Sequence, residues 1–313
     1  MSLAARSRPL RGIALKLTAV TAFVVMASCI KATAPHVPVG EAAFFRSLLA
    51  MPVIVAWLAW QGHLHDGLRT ERPLGHFWRG LIGTTAMLMG FAALGLLPLP
   101  QVTAIGYAVP VLTVAFAALF LRERIRLIRI TAVALGIIGV GIVLYPDLVG
   151  AGEGTRALGV AFALGSAVLA ASAQILIRRL IVTEDAPAIA FWFSVSATLI
   201  ALLTWPLGLF GAWVVPTGTE LGLLVVAGLL GGVGQLCLTA AYRYADASLV
   251  APFDYASMLL ALLIGYVVFA EVPRASTLLG AGIVIVAGVV IIWREARLGI
   301  PRGPAKRLVT PQG

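Results

Sequence analysis

Charged side chains are scarce in this sequence: Asp, Glu, Lys and Arg together make up 12% of its 313 residues. A soluble domain of that length needs a polar exterior, and too few residues are available to build one. Cysteine is scarcer still. Cys29 and Cys237 stand alone in apolar stretches, which excludes a disulfide framework and the paired spacing of a zinc site. No segment between the apolar runs is long enough to form a soluble domain. No glycine-rich loop ending in lysine occurs, so the chain has no phosphate-binding loop for ATP-driven work. The four histidines (His36, His63, His65 and His76) fall in loops or at the ends of apolar runs. They give no convergent set for an enzyme or a metal.

What the chain does have is apolar length. Sixty per cent of its residues are hydrophobic, and the mean hydropathy is +1.01. About 20 such residues cross a bilayer. Ten stretches qualify: 11–31, 40–60, 77–97, 101–121, 127–145, 157–179, 187–208, 220–243, 248–270 and 275–293. The run at 11–31 imitates a secretory signal, since arginines precede it and Met26-Ala27-Ser28-Cys29 resembles a cleavage site. Lys31 follows it, however, and its removal would leave an odd helix, so it reads as a span. The net charge of +10 does not point to nucleic acid, because the basic residues sit in short loops rather than in one patch. Eighteen of the 23 Lys and Arg fall in the loops and termini of one face and three on the other. Arg79 is counted here with the loop before the third span. This bias predicts that both termini are cytoplasmic. Lys16 and Arg46 fall inside spans.

An offset of 147–148 residues brings the halves into register. Lys31 meets Arg178, Phe44 meets Phe191, and Ser47 meets Ser194. Further on, Gly83 meets Gly231, Tyr107 meets Tyr255, and Glu123 meets Glu271. Five spans per half is an odd number, so the halves must be inverted relative to one another. The expected fold is therefore an all-α integral membrane protein of ten transmembrane helices, arranged as two inverted five-helix repeats around a central cavity. Residues 1–10 form a cytoplasmic N-terminus, 11–146 the first repeat and 147–156 an outer linker. Residues 157–293 form the second repeat and 294–313 a cytoplasmic tail. Inverted repeats are a recurrent plan of secondary transporters, with the site between the halves.

Several motifs sharpen this reading. Pro110-Val111 is followed by Ala117 to Arg124 and by Gly136-Ile137-Ile138-Gly139-Val140. The second half carries Ala251-Pro252-Phe253-Asp254-Tyr255, Phe269-Ala270-Glu271-Val272-Pro273 and Leu279-Gly280-Ala281-Gly282, and Phe45 to Ala50 surrounds Arg46. As a set, over roughly residues 11–293, these resemble the EamA family of the drug/metabolite transporter superfamily. The resemblance implies ten helices, a cavity shared by both halves, and export or uptake without ATP. It also implies a bacterial-type inner membrane. The stretch from Ala251 to Glu271 is similar to a bacterial subgroup with members linked to riboflavin or S-adenosylmethionine uptake. The halves depart from each other at Pro110, whose partner is Met258, while Pro252 sits elsewhere on its helix.

Polar groups inside spans are expensive and mark pathways or partners. Asp254, about two turns into the ninth span, is a candidate for a proton or a cationic group. The alternative is an interfacial acid paired with Arg243 or another base. Arg46 suits a carboxylate or phosphate, or else it snorkels or pairs with Glu41. The family pattern places an arginine there whatever the substrate. Lys16 is expected to snorkel. Tyr107 and Tyr255 are the aromatic candidates for the cavity, joined by Trp192, Gln174 and Gln235. Glu123, Glu271, Pro110 and Pro252 are read as structural. The expected activity is secondary transport of a small metabolite by alternating access, with protons as a candidate coupling ion and no cofactor. Its partners are the small-molecule substrate and the lipid bilayer, and a homodimer is compatible with the sequence. A membrane-embedded enzyme and a channel or scaffold are the competing classes.

Overall fold

Within a bilayer an apolar run has no water to satisfy its amides, so it must bond to itself as a helix. The computed structural model describes residues 9–62, 64, 66–121, 127–149, 154–181, 183–244 and 251–297. Those residues are mostly helical and contain no strand. The helices are α1 (Pro9–Thr33), α2 (Val39–Trp60), α3 (Pro73–Leu96), α4 (Leu99–Gly106), α5 (Ala108–Leu121) and α6 (Leu127–Val149). They continue with α7 (Gly154–Leu180), α8 (Ala186–Leu207), α9 (Gly218–Tyr244), α10 (Ala256–Phe269) and α11 (Ala275–Arg297), with a 3-10 turn over Ala251–Tyr255. Six of them, α1, α2, α3, α7, α8 and α9, are long and apolar enough to cross a membrane. The other four expected spans map onto α4 with α5, α6, α10 and α11, whose described apolar stretches are shorter.

Two expected spans are not continuous. The run 101–121 is broken at Tyr107, and Pro110 explains why. It has no N–H to give the Gly106 carbonyl, and its ring crowds that carbonyl, so the α-helical ladder cannot cross the junction. Tyr107 N–H instead bonds the Ala104 carbonyl at 3.2 Å, a tighter turn. In the run 248–270 the described residues start at Ala251 with the 3-10 turn, so Asp254 and Tyr255 precede α10 rather than lying within it.

α1 packs along α9 and α3 along α7, α2 lies against α8 and α9, α6 runs along α11, and α4 lies beside α10. Small residues set these approaches. A Cβ on Gly228 would come within 3.0 Å of the Phe45 carbonyl, and one on Gly232 within 3.0 Å of the Ala50 carbonyl. These two glycines therefore let α9 lie directly on the α2 backbone. Gly139 and Gly280 do the same where α6 crosses α11.

One loop is tied down by a buried carboxylate. Glu184, before α8, accepts from Thr70 Oγ1 (3.0 Å), Glu71 N (2.8 Å) and Arg72 N (2.9 Å). Its other oxygen lies 3.3 Å from His76 Nε2. Burial opposes the charged form, but the donors outweigh it and hold the carboxyl below its usual range. A depressed carboxylate stabilises the fold above its unfolded pKa, and that stability is lost as pH falls toward the folded value. Acidification below about pH 4.5 should therefore lower the melting temperature of the wild type more than that of Glu184→Gln. Equal acid sensitivity in the two proteins would remove Glu184 from the account.

Candidate functional site

The break at Tyr107 and the turn at 251–255 come together. The two tyrosine rings lie edge to face, 5.2 Å between centroids. The Tyr107 hydroxyl is 2.7 Å from Ser257 Oγ, which in turn donates to the Asp254 carbonyl at 2.6 Å. Serine has one hydroxyl proton, so Tyr107 must be the donor in the first of these bonds. The pair thus links the break between α4 and α5 to the 3-10 turn that leads into α10.

Four cations, Lys16, Lys31 and the pair Arg46 and Arg79, are built into the bundle. Lys16 does not snorkel. Its side chain is 2% exposed and lies 2.7 Å from Asp254, which is itself 51% exposed. α1 faces the 3-10 turn here, so the stem has no straight route to solvent. Lys31 ends α1 and reaches Glu271 at 2.9 Å, while donating to the Leu94 and Leu97 carbonyls at 3.0 and 2.7 Å. Glu271 accepts the Leu99 N–H at 2.8 Å at the start of α4. It can do so because Ala270 adopts φ +52°, ending α10 in a left-handed turn.

The other two form the pair. Arg46 on α2 and Arg79 on α3 are 5% and 9% exposed. Their guanidinium carbons lie 5.8 Å and 4.1 Å from the centroid of the Phe193 ring on α8. Arg46 neither snorkels nor pairs with Glu41, because Glu41 instead accepts the Val214 N–H at 3.0 Å. Arg79 is not a loop residue as the charge count had it. α3 begins at Pro73, so Arg79 lies within that helix. Proline at the first helical position was the available signal. Phe193 and Ser257 carry no sequence signal of their own, because each matters only through what packs on it.

The remaining candidates lie apart from the tyrosine pair. The Trp192 indole donates to the Leu68 carbonyl at 2.9 Å, holding the loop before α3. Gln174 is exposed on α7, and Gln235 is half-buried on α9. Pro110 is exposed in the first turn of α5, and Pro252 lies in the 3-10 turn. Glu123 lies outside the described residues. A pocket of about 70 Å³ opens beside the α4 start, lined by Pro98, Gln101, Arg156, Arg274 and Thr277 among others.

Comparison with known proteins gives the family and the fold. The model of the EamA-like transporter family matches the chain twice, over residues 10–145 and 157–294. An S-adenosylmethionine uptake transporter of Rickettsia felis is 30% identical over 82% of this chain and 84% of its own. A pseudopaline exporter of Pseudomonas aeruginosa is 28% identical over 88% and 94%. A riboflavin transporter of Vibrio cholerae is 28% identical over 93% and 96%. A solved crystal structure at 21% identity superposes with a TM-score of 0.65 over 92% of this chain and 99% of that one, which speaks for the fold alone. The chain is therefore a multi-pass membrane transporter of small molecules rather than an enzyme, and it belongs to the EamA-like transporter family.

Proposed function

We propose that this protein is a secondary transporter of a small metabolite in a bacterial inner membrane. Two inverted five-helix repeats, residues 11–146 and 157–293, would rock about a shared cavity, with both termini in the cytoplasm. The observation that carries the reading is the meeting of Tyr107 and Tyr255. They hold matched positions in the two halves, Tyr107 at the break between α4 and α5 and Tyr255 at the end of the 3-10 turn that precedes α10. An interrupted helix has fewer ladder bonds to break when its two pieces tilt. The helix pairing supports the same reading. Exchange of the halves turns α1 against α9 into α7 against α3, and returns α2 against α8, α4 against α10, and α6 against α11 to themselves.

The ion pairs suit such a cycle. Lys31 and Glu271 join α1, α4 and α10 at one face. The register puts Arg178 and Glu123 at the corresponding positions for the other face. Breaking the Lys31–Glu271 pair would open the cavity on that face. Asp254 is half exposed and lies 2.7 Å from Lys16. Loss of its charge would loosen α1 from the 3-10 turn. The relatives include both an uptake transporter and an exporter, so the direction is left to the gradient.

Purified protein in liposomes should take up at least one of S-adenosylmethionine, riboflavin and amino acids with saturation, and faster under a pH gradient. Asp254→Asn should keep saturable exchange and lose the response to the gradient. Flux through the variant that still tracks the gradient would exclude Asp254 from coupling, and the absence of saturable flux from folded protein would end the transporter reading. Cysteines placed at 107 and 255 should react with polar thiol reagents at least about tenfold faster than a cysteine at 263, where the native leucine is exposed on the bundle's outer surface. Equal inertness of all three would remove the tyrosines from the cavity.

A further inference from the structure

Buried polar atoms without partners are rare in folded proteins, and each asks for a reason. Here they are concentrated. Of the eight such side-chain atoms among the described residues, seven lie on α2 and α3. They are Arg46 Nε, Ser47 Oγ, both nitrogens of His76 (Nε2 makes no aligned hydrogen bond but lies 3.3 Å from the Glu184 carboxylate), Arg79 Nε and Nη1, and Thr84 Oγ1. The two arginines are the costly members. Lys16 and Lys31 are each neutralised by a carboxylate within 2.9 Å. Among the described residues no acidic side chain pairs with Arg46 or Arg79. Two like charges kept close to one another in a membrane interior are stable only if something else is gained.

Their depth is central. Arg46 and Arg79 lie seven and six residues into their helices, about 10 Å of rise in each case. Consecutive spans start from opposite faces, so the side chains approach from both sides and meet at the Phe193 ring. Each guanidinium is cradled over a glycine. A Cβ on Gly231 would lie 3.2 Å from Arg46 Nε, and one on Gly83 would run into Arg79 Nη1 and come within 3.0 Å of the Phe193 ring. Gly83 and Gly231 are matched positions in the two halves, so the cradle is shared between them. The helices around it are α2, α3, α8 and α9.

We infer that Arg46 and Arg79 form the recognition site for a carboxylate of the transported substrate, with Phe193 as the flat surface beside it. The planar guanidinium fork matches a carboxylate, and charge-assisted bonds of this kind are the strong ones. Ser47 and Thr84 place further hydroxyl donors on the same two helices. The bound anion supplies the counter-charge that no described residue provides, so the empty site is the unfavourable state. This inference rests on the transporter reading and gives it a substrate class, a small carboxylate-bearing metabolite. A purely structural pair of arginines would instead require neither ligand nor carboxylate.

The test separates the two readings by measuring binding without flux. Detergent-solubilised full-length protein is melted in the presence of S-adenosylmethionine and a panel of small mono- and dicarboxylates, each beside its uncharged amide or, for S-adenosylmethionine, its decarboxylated form. At least one carboxylate should raise the melting temperature, and should bind about tenfold or more tightly than its neutral partner. Arg46→Gln and Arg79→Gln should abolish that preference, and Arg79→Lys should restore part of it. Gly231→Leu, which crowds Arg46 without removing charge, should weaken binding as well. The inference is overturned if no carboxylate in the panel outperforms its neutral partner, if the preference survives in both glutamine variants, or if riboflavin, which has no carboxylate, binds alone and equally well to wild type and variants. Binding with this preference but no flux in liposomes would keep the site and refute transport. Saturable flux without the preference would keep transport and refute the site.

Discussion

Backbone groups that leave a helix ladder at the membrane need other partners, and the junction of α3 and α4 shows how this bundle supplies them. The α3 end and the α4 start are adjacent, so carbonyls at 94 and 97 and the amide of Leu99 all need partners. Lys31 serves the carbonyls, and Glu271 serves the amide. The two side chains then neutralise each other. A single ion pair therefore ties α1, α3, α4 and α10 together. Gly265 belongs to the same arrangement. A Cβ there would lie 3.0 Å from the Pro100 ring and 3.2 Å from Glu271 Oε2, so α10 could not approach α4 closely enough to place the carboxylate.

The interior cations fall into two kinds, and the difference carries the functional argument. Lys16 and Lys31 have their anions in the chain. Arg46 and Arg79 have an aromatic ring and glycines, but no described anion. A fold that needed positive charge only to hold helices together could have ended each cation on a carboxylate, as it did twice. A pair left open and enclosed suits a site filled from outside the chain. A partner that comes and goes is what a carrier needs, because a permanently satisfied site would have nothing to move.

Ten apolar stretches, a charge bias between faces and a half-chain repeat were all legible in the linear sequence, because each depends on composition and spacing alone. The family resemblance was legible for the same reason. Side-chain roles were read unevenly. The matched tyrosines stood out through the repeat, and they do meet. Asp254 stood out as an acid in an apolar run, but its partner on α1 is 238 positions away in the chain and gave no local signal. Lys16 read as a snorkelling residue because its distance from the helix end allowed it. Only the packing of α1 against α9 and the 3-10 turn closes that route. Trp192 carried no mark separating a cavity wall from a loop anchor, and its bond to the Leu68 carbonyl decides for the anchor.

Hydropathy and periodicity by themselves determined that the chain is helical, membrane-embedded and internally repeated. Water is absent from the bilayer core, and apolar length admits few other solutions there. What only the tertiary structure decided is which charges are answered and which are not. Pairing of Lys16 with Asp254, pairing of Lys31 with Glu271, and the open guanidinium groups of Arg46 and Arg79 over Phe193 all arise between helices far apart in sequence. Electrostatic energy in a low-dielectric interior depends on distances of a few ångströms, and those distances are set by helix packing rather than by position along the chain.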